Sequence, residues 1–413
     1  MLLIYLTSVV VFLLILLVLA QAACVKYYLI NLGKSQANPN ADDFHPHVTV
    51  VLCLRGCDPA LDVCLESLLT QDYENYRVVC VLDSEQDPAY SRVKTRSENS
   101  RLEIQIAPPD NFDRSLKCNS LVHAFGSIED PVVVLVDADA TVDNQWLAEL
   151  IAPLKSPHVV ASSANRWFLP DARERGSCIR HFWNLAAAPQ MFTYQVTWGG
   201  SLALKTDFIR ESGLLQAWSK ALFEDASVRH FAKQAGKQVV MLPALLIPNN
   251  ESITVAGATR WIERQLLDTK LYHACFPWVV IHAFSVLITL CSALAVLPAL
   301  VLGGLYSWVI ALGIALGLFF GFYLWAWQQL ESQARAALRK RGCRIEGSPP
   351  RGITALSAIA STQVIYTLAV VRVLFKKSVI WRGIHYRINS PYDIEMVGYR
   401  PMAIKKTKAN QSI

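Results

Sequence analysis

Two long apolar stretches constrain the fold of this chain more than any other feature of its sequence. Residues 2–24 are almost continuously apolar, and residues 276–327 are long enough for two helices of about 20 residues that each cross a bilayer. A hydrophobic content of 53% with 17% charged residues is also too apolar for a soluble enzyme of 413 residues. The sequence therefore predicts a transmembrane anchor at 1–25, a globular domain at 45–270, and two transmembrane helices at 276–327.

The first apolar stretch is interpreted as an uncleaved anchor. A cleaved signal peptide is the alternative, because residues 20–23 include small side chains, but no basic segment precedes the stretch. The first basic residues, Lys26 and Lys34, follow it, so the positive-inside rule predicts that the next domain is cytoplasmic. The basic run at 335–344 agrees with two further crossings. We therefore expect an integral protein of a bacterial inner membrane, or of the Golgi or endoplasmic reticulum of a eukaryote.

The C-terminal segment at 328–413 contains a weaker apolar stretch at 353–375. This stretch includes Ser, Thr, Gln and Arg side chains, and a crossing here would place the basic residues that follow it outside. We therefore expect an interfacial or re-entrant helix.

Charge and cysteine content narrow the class of protein. The net charge of +6 is modest, so it favours a basic surface beside an anionic membrane and does not predict a nucleic-acid partner. The ten cysteines form no CxxC pair and no zinc pattern with histidine. They are typical of small core residues in a reducing compartment, which agrees with a cytosolic domain.

Strand-like and helix-like segments alternate within the globular domain. Apolar runs at 48–54, 76–82, 102–106 and 132–136 predict strands. The first run is followed by a predicted helix at 61–69, and a second helix is predicted at 115–125. This alternation indicates an α/β, Rossmann-like fold with a mostly parallel sheet, whose ligands bind at the carboxyl ends of the strands.

Carboxylates follow several of these predicted strands. Asp83 would accept the N–H of a pyrimidine base, although a surface turn is the alternative. Asp137 and Asp139 offer hard oxygen ligands to Mg²⁺ or Mn²⁺, which would neutralise a departing nucleotide diphosphate; a plain turn is the alternative. Glu224 and Asp225 precede a predicted helix, where one of them would act as general base for an acceptor hydroxyl, or both would stabilise the helix dipole.

Aromatic residues and glycines supply further candidates for a sugar pocket. The loop Trp198-Gly199-Gly200 has little side-chain bulk after its tryptophan, so it would approach a sugar closely, or it is a simple turn. Arg260 and Trp261 lead into the first C-terminal membrane stretch, where they would contact the diphosphate and wall the acceptor site. An aromatic and basic membrane anchor is the alternative for this pair.

Two more basic residues, Arg55 and Lys117, are weaker candidates for binding the nucleotide sugar. A solvated surface position is the alternative for each of them.

The combined motifs resemble family 2 glycosyltransferases, and most of all the ceramide glucosyltransferase branch. The resemblance spans about residues 48–387 and rests on the loop at 54–59, the segment 82–88, the glycine loop at 196–201, the acid pair at 224–225 and the Trp-Arg-Gly element at 381–387. It implies a GT-A-like domain. The implied residues are Asp83 for the base, Asp137 and Asp139 for the metal and diphosphate, Asp225 as catalytic base, and Arg260 with Trp261 in a terminal clamp.

This sequence departs from the resembled family at two positions. Gly257 stands three residues before Arg260, where the family's terminal motif usually begins with Gln or Arg. Asp139 is present, whereas the ceramide enzymes often lack the second aspartate of this motif. The second departure makes the chain more similar to the general family and weakens ceramide as the specific acceptor.

The sequence therefore predicts a membrane-bound inverting glycosyltransferase. It would move a sugar from a nucleotide sugar, UDP-glucose or a similar UDP-hexose, to a lipid hydroxyl such as that of ceramide or another glycolipid precursor. Two alternatives are a processive polysaccharide synthase and a non-catalytic membrane protein that binds nucleotide sugars.

Overall fold

The computed structural model describes residues 1–34, 44–345 and 347–402 of the chain. The helices are α1 (Leu2–Leu32), α2 (Leu61–Leu69), α3 (Pro88–Lys94), α4 (Leu116–Ala124), α5 (Trp146–Ile151), α6 (Arg175–Tyr194), α7 (Thr206–Glu211), α8 (Leu214–Trp218), α9 (Val228–Gln234), α10 (Val255–Tyr272), α11 (Phe276–Leu302), α12 (Tyr306–Lys340) and α13 (Gly352–Phe375). The strands are β1 (Val48–Leu54), β2 (Tyr76–Leu82), β3 (Leu102–Ile106), β4 (Val132–Val136), β5 (Val159–Phe168), β6 (Ser201–Lys205), β7 (Gln238–Asn249), β8 (Ser378–Trp381), β9 (Ile384–Ser390) and β10 (Asp393–Val397).

A seven-stranded sheet forms the centre of the globular domain, in the order β3-β2-β1-β4-β6-β5-β7. Strand β6 runs antiparallel to its neighbours β4 and β5, and the other pairs are parallel. The four predicted strands are present with the predicted bounds. The α/β prediction is therefore confirmed, and the parallel strands β1, β2 and β4 end at one edge of the sheet.

Both faces of the sheet are buried, which explains the continuous apolar runs of its strands. On β1, Val50 and Leu52 pack into a core with α2, whereas Val51 packs on the opposite face with α4. Burial of one such side chain contributes about 1.5–3 kcal/mol. This packing fixes the strand ends and the side chains that follow them.

Within the described residues, four helices are long and apolar enough to cross a membrane, namely α1, α11, α12 and α13. The first three carry large exposed apolar side chains, among them Phe12, Leu294 and Phe320, as expected of a lipid-facing surface. The break between α11 and α12 lies at 303–305, and Pro298 lies inside α11. Helix α12 continues to Lys340, so most of the basic run belongs to its last turns.

Helix α13 is one uninterrupted helix of 24 residues that meets the same criteria of length and composition. It packs against α6 and α10 of the globular domain as well as against α11. The prediction of an interfacial or re-entrant helix at this position stays a prediction.

After α13 the chain forms a small antiparallel sheet in the order β10-β9-β8. Residues Arg382 and Gly383 join β8 to β9, and both have positive φ, at 48° and 77°. A two-residue hairpin with a type I′ turn needs positive φ at both positions. The hairpin packs back onto the globular domain, because Tyr386 lies in the same core as α10.

The ten cysteines are free thiols, and five of them are buried.

Candidate functional site

Two cavities meet at the edge of the sheet where β1, β2 and β4 end. The polar cavity is lined by 26 residues, which include eight acidic and six basic side chains. The apolar cavity extends from the same point between α1, α6, α10, α11, α12 and α13. Six residues line both cavities, namely Arg166, Trp198, Asp225, Trp261, Gln265 and Asp268.

Asp83 and Arg55 form an ion pair at one end of the polar cavity. Asp83 is 3% exposed, and burial raises the pKa of its carboxyl while Arg55 opposes that shift. Arg55 Nε donates to the carbonyl of Arg382 at 3.0 Å. Asp83 Oδ1 is buried without a hydrogen-bond partner among the described residues, so this carboxylate retains an acceptor for a donor group of a ligand.

Lys117 connects two of the predicted acids. Its Nζ lies 2.7 Å from Asp137 Oδ1 and 2.6 Å from Glu224 Oε1. The position follows from the start of α4, because the Ser115 side chain caps that helix by accepting from Cys118 N at 3.1 Å. Burial opposes the lysine charge, but Asp137 and Glu224 raise the pKa of Lys117 well above its usual value. Lys117 therefore stays cationic inside the cavity.

The same contacts give the carboxyl groups of Asp137 and Glu224 different pKa values. Burial acts against ionisation of Asp137, but Lys117 and then Arg166 hold its pKa at about 2. Burial, with the charges of Asp225 and Asp137, raises the pKa of Glu224 to about 7 although Lys117 opposes the shift. Asp137 is therefore an anion at neutral pH, and Glu224 titrates near neutrality.

Asp139 is the second carboxylate that could hold a divalent cation. Burial and then the charge of Asp137 raise its pKa, and its Oδ2 accepts from Asn249 Nδ2 at 3.2 Å. Groups of three or more His, Cys, Asp or Glu side chains suited to a metal are absent from the described residues. Asp137 and Asp139 therefore fit a cation only if a ligand supplies further oxygen atoms, as phosphate groups do for Mg²⁺.

The two predicted glycines lie behind the cavity wall and do not line it. A Cβ atom at Gly199 would lie 2.0 Å from Glu224 Oε1, and one at Gly200 would lie 2.1 Å from the Trp198 ring. Glycine at these positions therefore leaves the space that the side chains of Glu224 and Trp198 occupy. The loop therefore shapes the cavity indirectly, by leaving room for the side chains of Glu224 and Trp198.

Asp225 lies in the wall that the two cavities share. Its Oδ2 accepts from Gly199 N at 2.7 Å, and its Oδ1 accepts from Ala226 N at 2.9 Å. Because both oxygens accept backbone N–H groups, these contacts fix the orientation of the carboxyl group.

Arg166 sits between the aromatic walls of the site. Its guanidinium lies 4.5 Å from the centre of the Trp198 ring and 5.5 Å from that of Trp261. Trp261 is buried and also packs edge-on against Trp183, with ring centres 5.3 Å apart. The arrangement holds one cation and two indole rings at the junction of the cavities.

The two residues of the predicted terminal clamp, Arg260 and Trp261, lie on different faces of α10. Trp261 reaches both cavities, whereas Arg260 is exposed and lines neither. Arg264, one turn later, lines the polar cavity instead, and burial together with Arg166 lowers its pKa. Gly257 is buried in the first turn of α10, where its N–H donates to the Thr254 side chain.

The hairpin between β8 and β9 completes the polar cavity. Trp381 and Arg382 line it, and an Arg382 nitrogen lies 3.5 Å from Asp58 Oδ2. The Tyr386 hydroxyl accepts from Leu116 N at 3.2 Å, which joins the hairpin to the start of α4. The cavity therefore needs a segment that lies beyond the membrane helices in the chain.

The apolar cavity contains several polar groups among mostly apolar walls. Gln21 of α1 contacts His282 of α11, with their Nε2 atoms 2.6 Å apart. Gln363 of α13 and Tyr323 of α12 also line this space. A ligand with an apolar body and a few polar atoms matches this lining.

The structure thus brings nine of the predicted site residues to the cavities: Arg55, Asp83, Lys117, Asp137, Asp139, Trp198, Glu224, Asp225 and Trp261. It adds seven charged residues that the site prediction omitted: Asp58, Arg166, Arg180, Glu251, Arg264, Asp268 and Arg382. Sequence reasoning missed Arg166 because the burial of all ten residues of its strand is visible only in the structure.

Comparisons with known proteins identify the family. The sequence profile of glycosyl transferase family 21 matches residues 12–394. A ceramide glucosyltransferase of Komagataella phaffii is 26% identical over 113 residues, which are 26% of this chain and 22% of the relative. An uncharacterized glycosyltransferase of Haemophilus influenzae is 26% identical over 117 residues, 28% of this chain and 35% of the relative. The chain therefore matches only a minor part of each relative.

The structure is similar to that of a mannosyltransferase from Pyrobaculum calidifontis, solved in complex with GDP-mannose and Mn²⁺. The TM-score is 0.50 at 19% identity, and the match covers 80% of this chain and 98% of the other. This likeness confirms the predicted GT-A-like fold. The profile match confirms the family resemblance drawn from the motifs, and the chain belongs to glycosyl transferase family 21.

Proposed function

We propose that this protein is a membrane-bound inverting glycosyltransferase that moves a sugar from a nucleotide sugar to a lipid hydroxyl. One observation carries the proposal. Asp225 lies in the wall shared by a polar cavity, which holds Asp83, Asp137 and Asp139, and an apolar cavity bordered by the membrane helices. A polar donor in the first cavity and an apolar acceptor in the second would meet at this carboxylate.

The polar cavity suits a nucleoside diphosphate sugar. The unpartnered Asp83 Oδ1 would accept a ring N–H of the base, such as that of uracil. Arg264 and Arg382 would bind the diphosphate, because both line the cavity and the lowered pKa of Arg264 marks a buried cation with too little negative charge nearby. We assign to Arg264 the diphosphate contact that the sequence suggested for Arg260.

Asp137 and Asp139 would hold a divalent cation, Mg²⁺ or Mn²⁺, together with the diphosphate of the donor. When bound, it would supply charge neutralisation for the leaving nucleoside diphosphate. The raised pKa of Asp139 supports this position, since a neighbouring cation would stabilise its ionised form.

The apolar cavity suits a lipid acceptor. Its walls come from α1, α11, α12 and α13 as well as from α6 and α10, so a lipid chain would lie among the membrane helices while its headgroup reached Asp225. The Trp198 ring stands at the same junction, and its indole N–H has no partner among the described residues. It would donate a hydrogen bond to a hydroxyl of the sugar or of the headgroup.

Asp225 would act as general base. Its backbone hydrogen bonds to Gly199 and Ala226 hold the carboxylate in place. It would take the proton of the acceptor hydroxyl as that oxygen attacks the anomeric carbon, on the side opposite the nucleoside diphosphate. Attack from the opposite side inverts the configuration at that carbon.

The position of the small sheet β8–β10 supports one arrangement of the chain across the membrane. The globular domain precedes α11, and the sheet β8–β10 follows α13, yet both line the polar cavity and so lie on one side of the bilayer. The chain between them must then cross an even number of times. The more apolar pair α11 and α12 would supply two crossings, which leaves α13 at the interface. The basic residues that follow α1 favour the cytoplasmic side for the globular domain and the small sheet.

The test is sugar transfer to lipid by the full-length protein, purified and reconstituted into membranes. We would incubate it with Mn²⁺ and a panel of labelled UDP-sugars and GDP-mannose, then analyse the extracted lipids by mass. We expect one hexose per lipid, an inverted anomeric configuration, and a loss of at least about a thousandfold in Asp225→Asn. Glu98→Gln, a change at an exposed acid, is the control. A long polysaccharide product, or an Asp225→Asn variant with ordinary activity, would contradict the proposal.

A further inference from the structure

Asp268 is a buried carboxyl group directly beside the proposed base. It lies on α10 and lines both cavities together with Asp225, whose carboxyl group is close enough to share a hydrogen bond with it. Its Oδ1 is buried and has no partner among the described residues. The catalytic scheme above gives no role to this residue.

Two carboxyl groups in contact share a proton, because two adjacent carboxylates repel each other in a poorly solvated site. Asp225 accepts backbone N–H bonds on both of its oxygens, so both are already engaged as acceptors. Asp268 has an oxygen that no donor reaches, so the proton belongs on Asp268.

The charges that face Asp268 agree with this assignment. Burial, followed by the charges of Asp225 and Glu224, raises the pKa of Asp268 well above its usual value, and Arg264 on the same helix opposes the shift. Tyr272, one turn later on α10, also faces it. The acidic neighbours outweigh the single arginine, so the site favours the neutral acid.

We propose that Asp268 is a positioning residue, a protonated carboxyl that donates a hydrogen bond to Asp225 and fixes the direction in which this base faces the lipid hydroxyl. The proposal rests on the proposed function, in which Asp225 is the base. During transfer the acceptor oxygen forms its bond to the anomeric carbon and gives its proton to Asp225. The bond to the nucleoside diphosphate breaks, and its electron pair leaves on the phosphate oxygen. Asp268 keeps its own proton throughout.

This role predicts a specific pH profile. Activity falls at alkaline pH once Asp268 ionises, because two carboxylates then repel each other and Asp225 leaves its position. The Asp268→Asn variant keeps a neutral donor of similar shape and has no proton to lose. Its kcat at pH 7 stays within about fivefold of the wild type, and the alkaline fall due to Asp268 disappears. The Asp268→Leu variant lacks the donor, and its kcat falls at least about tenfold, which corresponds to about 1.4 kcal/mol.

Thermal unfolding and binding of the nucleoside diphosphate to each variant report whether it is folded. Equal losses of kcat in folded Asp268→Asn and Asp268→Leu, or an unchanged alkaline fall in Asp268→Asn, would overturn the proposal.

An infrared measurement tests the shared proton without any turnover. The full-length protein at pH 7 is expected to show the carbonyl stretch of a buried carboxylic acid, and this band should be weaker in Asp268→Asn and should fade at alkaline pH. A spectrum of Asp268→Asn identical to that of the wild type would overturn the assignment even if lipid transfer were confirmed. Failure to transfer sugar to lipid, with the band present, would count against the proposed function alone.

Discussion

The backbone N–H of Gly199 donates a hydrogen bond of 2.7 Å to Asp225 Oδ2. The glycine loop therefore holds the proposed base directly, in addition to leaving room for its neighbours. A side chain at Gly199 would disturb both functions, because its Cβ would lie 2.0 Å from Glu224 Oε1 and 3.3 Å from the Asp225 Cβ.

The Gly199→Ala variant is thus expected to lose at least about tenfold in kcat, since displacement of Asp225 by even a fraction of an ångström weakens its alignment with the acceptor. Steady-state transfer to lipid measures the change. Gly313→Ala is the matched control, because a Cβ at that position of α12 meets no atom within 4 Å. Similar activities of the two variants would exclude a positioning role for the loop.

Asp83→Asn is expected to weaken binding of the nucleotide sugar while the chemical step is retained. The substitution removes the charge that pairs with Arg55 and replaces a carboxylate acceptor with an amide. The KM should therefore rise about tenfold to a hundredfold, which corresponds to a loss of about 1.4–2.7 kcal/mol in binding free energy. The kcat should change by less than about threefold. Asp62→Asn, at a surface acid that pairs with Arg92 and Arg96, is the control and should leave KM unchanged. A fall in kcat alone would place Asp83 at the reacting atoms instead.

The stability of the protein without ligands should depend on Glu224. Burial and neighbouring acids raise the pKa of Glu224 to about 7 in the folded protein, from an ordinary value of 4.5 in the unfolded chain. The folded state therefore binds the proton more tightly, and the free energy of unfolding falls as pH rises from about 4.5 to about 7. The contribution of this group is roughly 3 kcal/mol.

Thermal unfolding of the wild type and of Glu224→Gln across this pH range measures the effect. The glutamine variant has no proton to release at this site, so its stability should fall less steeply with pH. Parallel curves for the two proteins would show that Glu224 does not titrate differently in the folded state.

Epitope tags would test the arrangement in the membrane. A tag inserted at 97–100 in the globular domain and a tag after Gly398 should be accessible from the same side of sealed vesicles, because the two regions meet at the polar cavity. A tag between Gly303 and Gly304 should be accessible only from the opposite side. Tags at the first two positions on opposite sides would mean that α13 crosses the bilayer.

Strands β1, β2 and β4 were predictable from sequence because each is a mostly apolar run followed directly by a charged residue. Asp83 and Asp137 follow β2 and β4 directly, so the shared edge of the sheet could be deduced before the structure was known. The limits of α12 were harder to predict. Its basic end continues the helix to Lys340, since a change from apolar to charged residues does not by itself interrupt a helix.

Other parts of the site depend on packing that no local pattern reveals. Arg166 lies within a fully buried strand, where only the tertiary structure shows that its charge faces two indole rings. Arg260 and Arg264 occupy successive turns of one helix, and only the packing of α10 decides which of them lines the cavity. The pairing of Asp225 with Asp268 also depends on that packing.

The contact between Arg55 and the carbonyl of Arg382 joins residues that are 327 positions apart. A ribosome therefore completes the globular domain and all the membrane helices long before it supplies the last wall of the polar cavity. A nascent chain that has not yet reached the β8–β9 hairpin carries its acidic groups without that wall. Assembly of the polar cavity thus waits until all four long apolar helices have been synthesised.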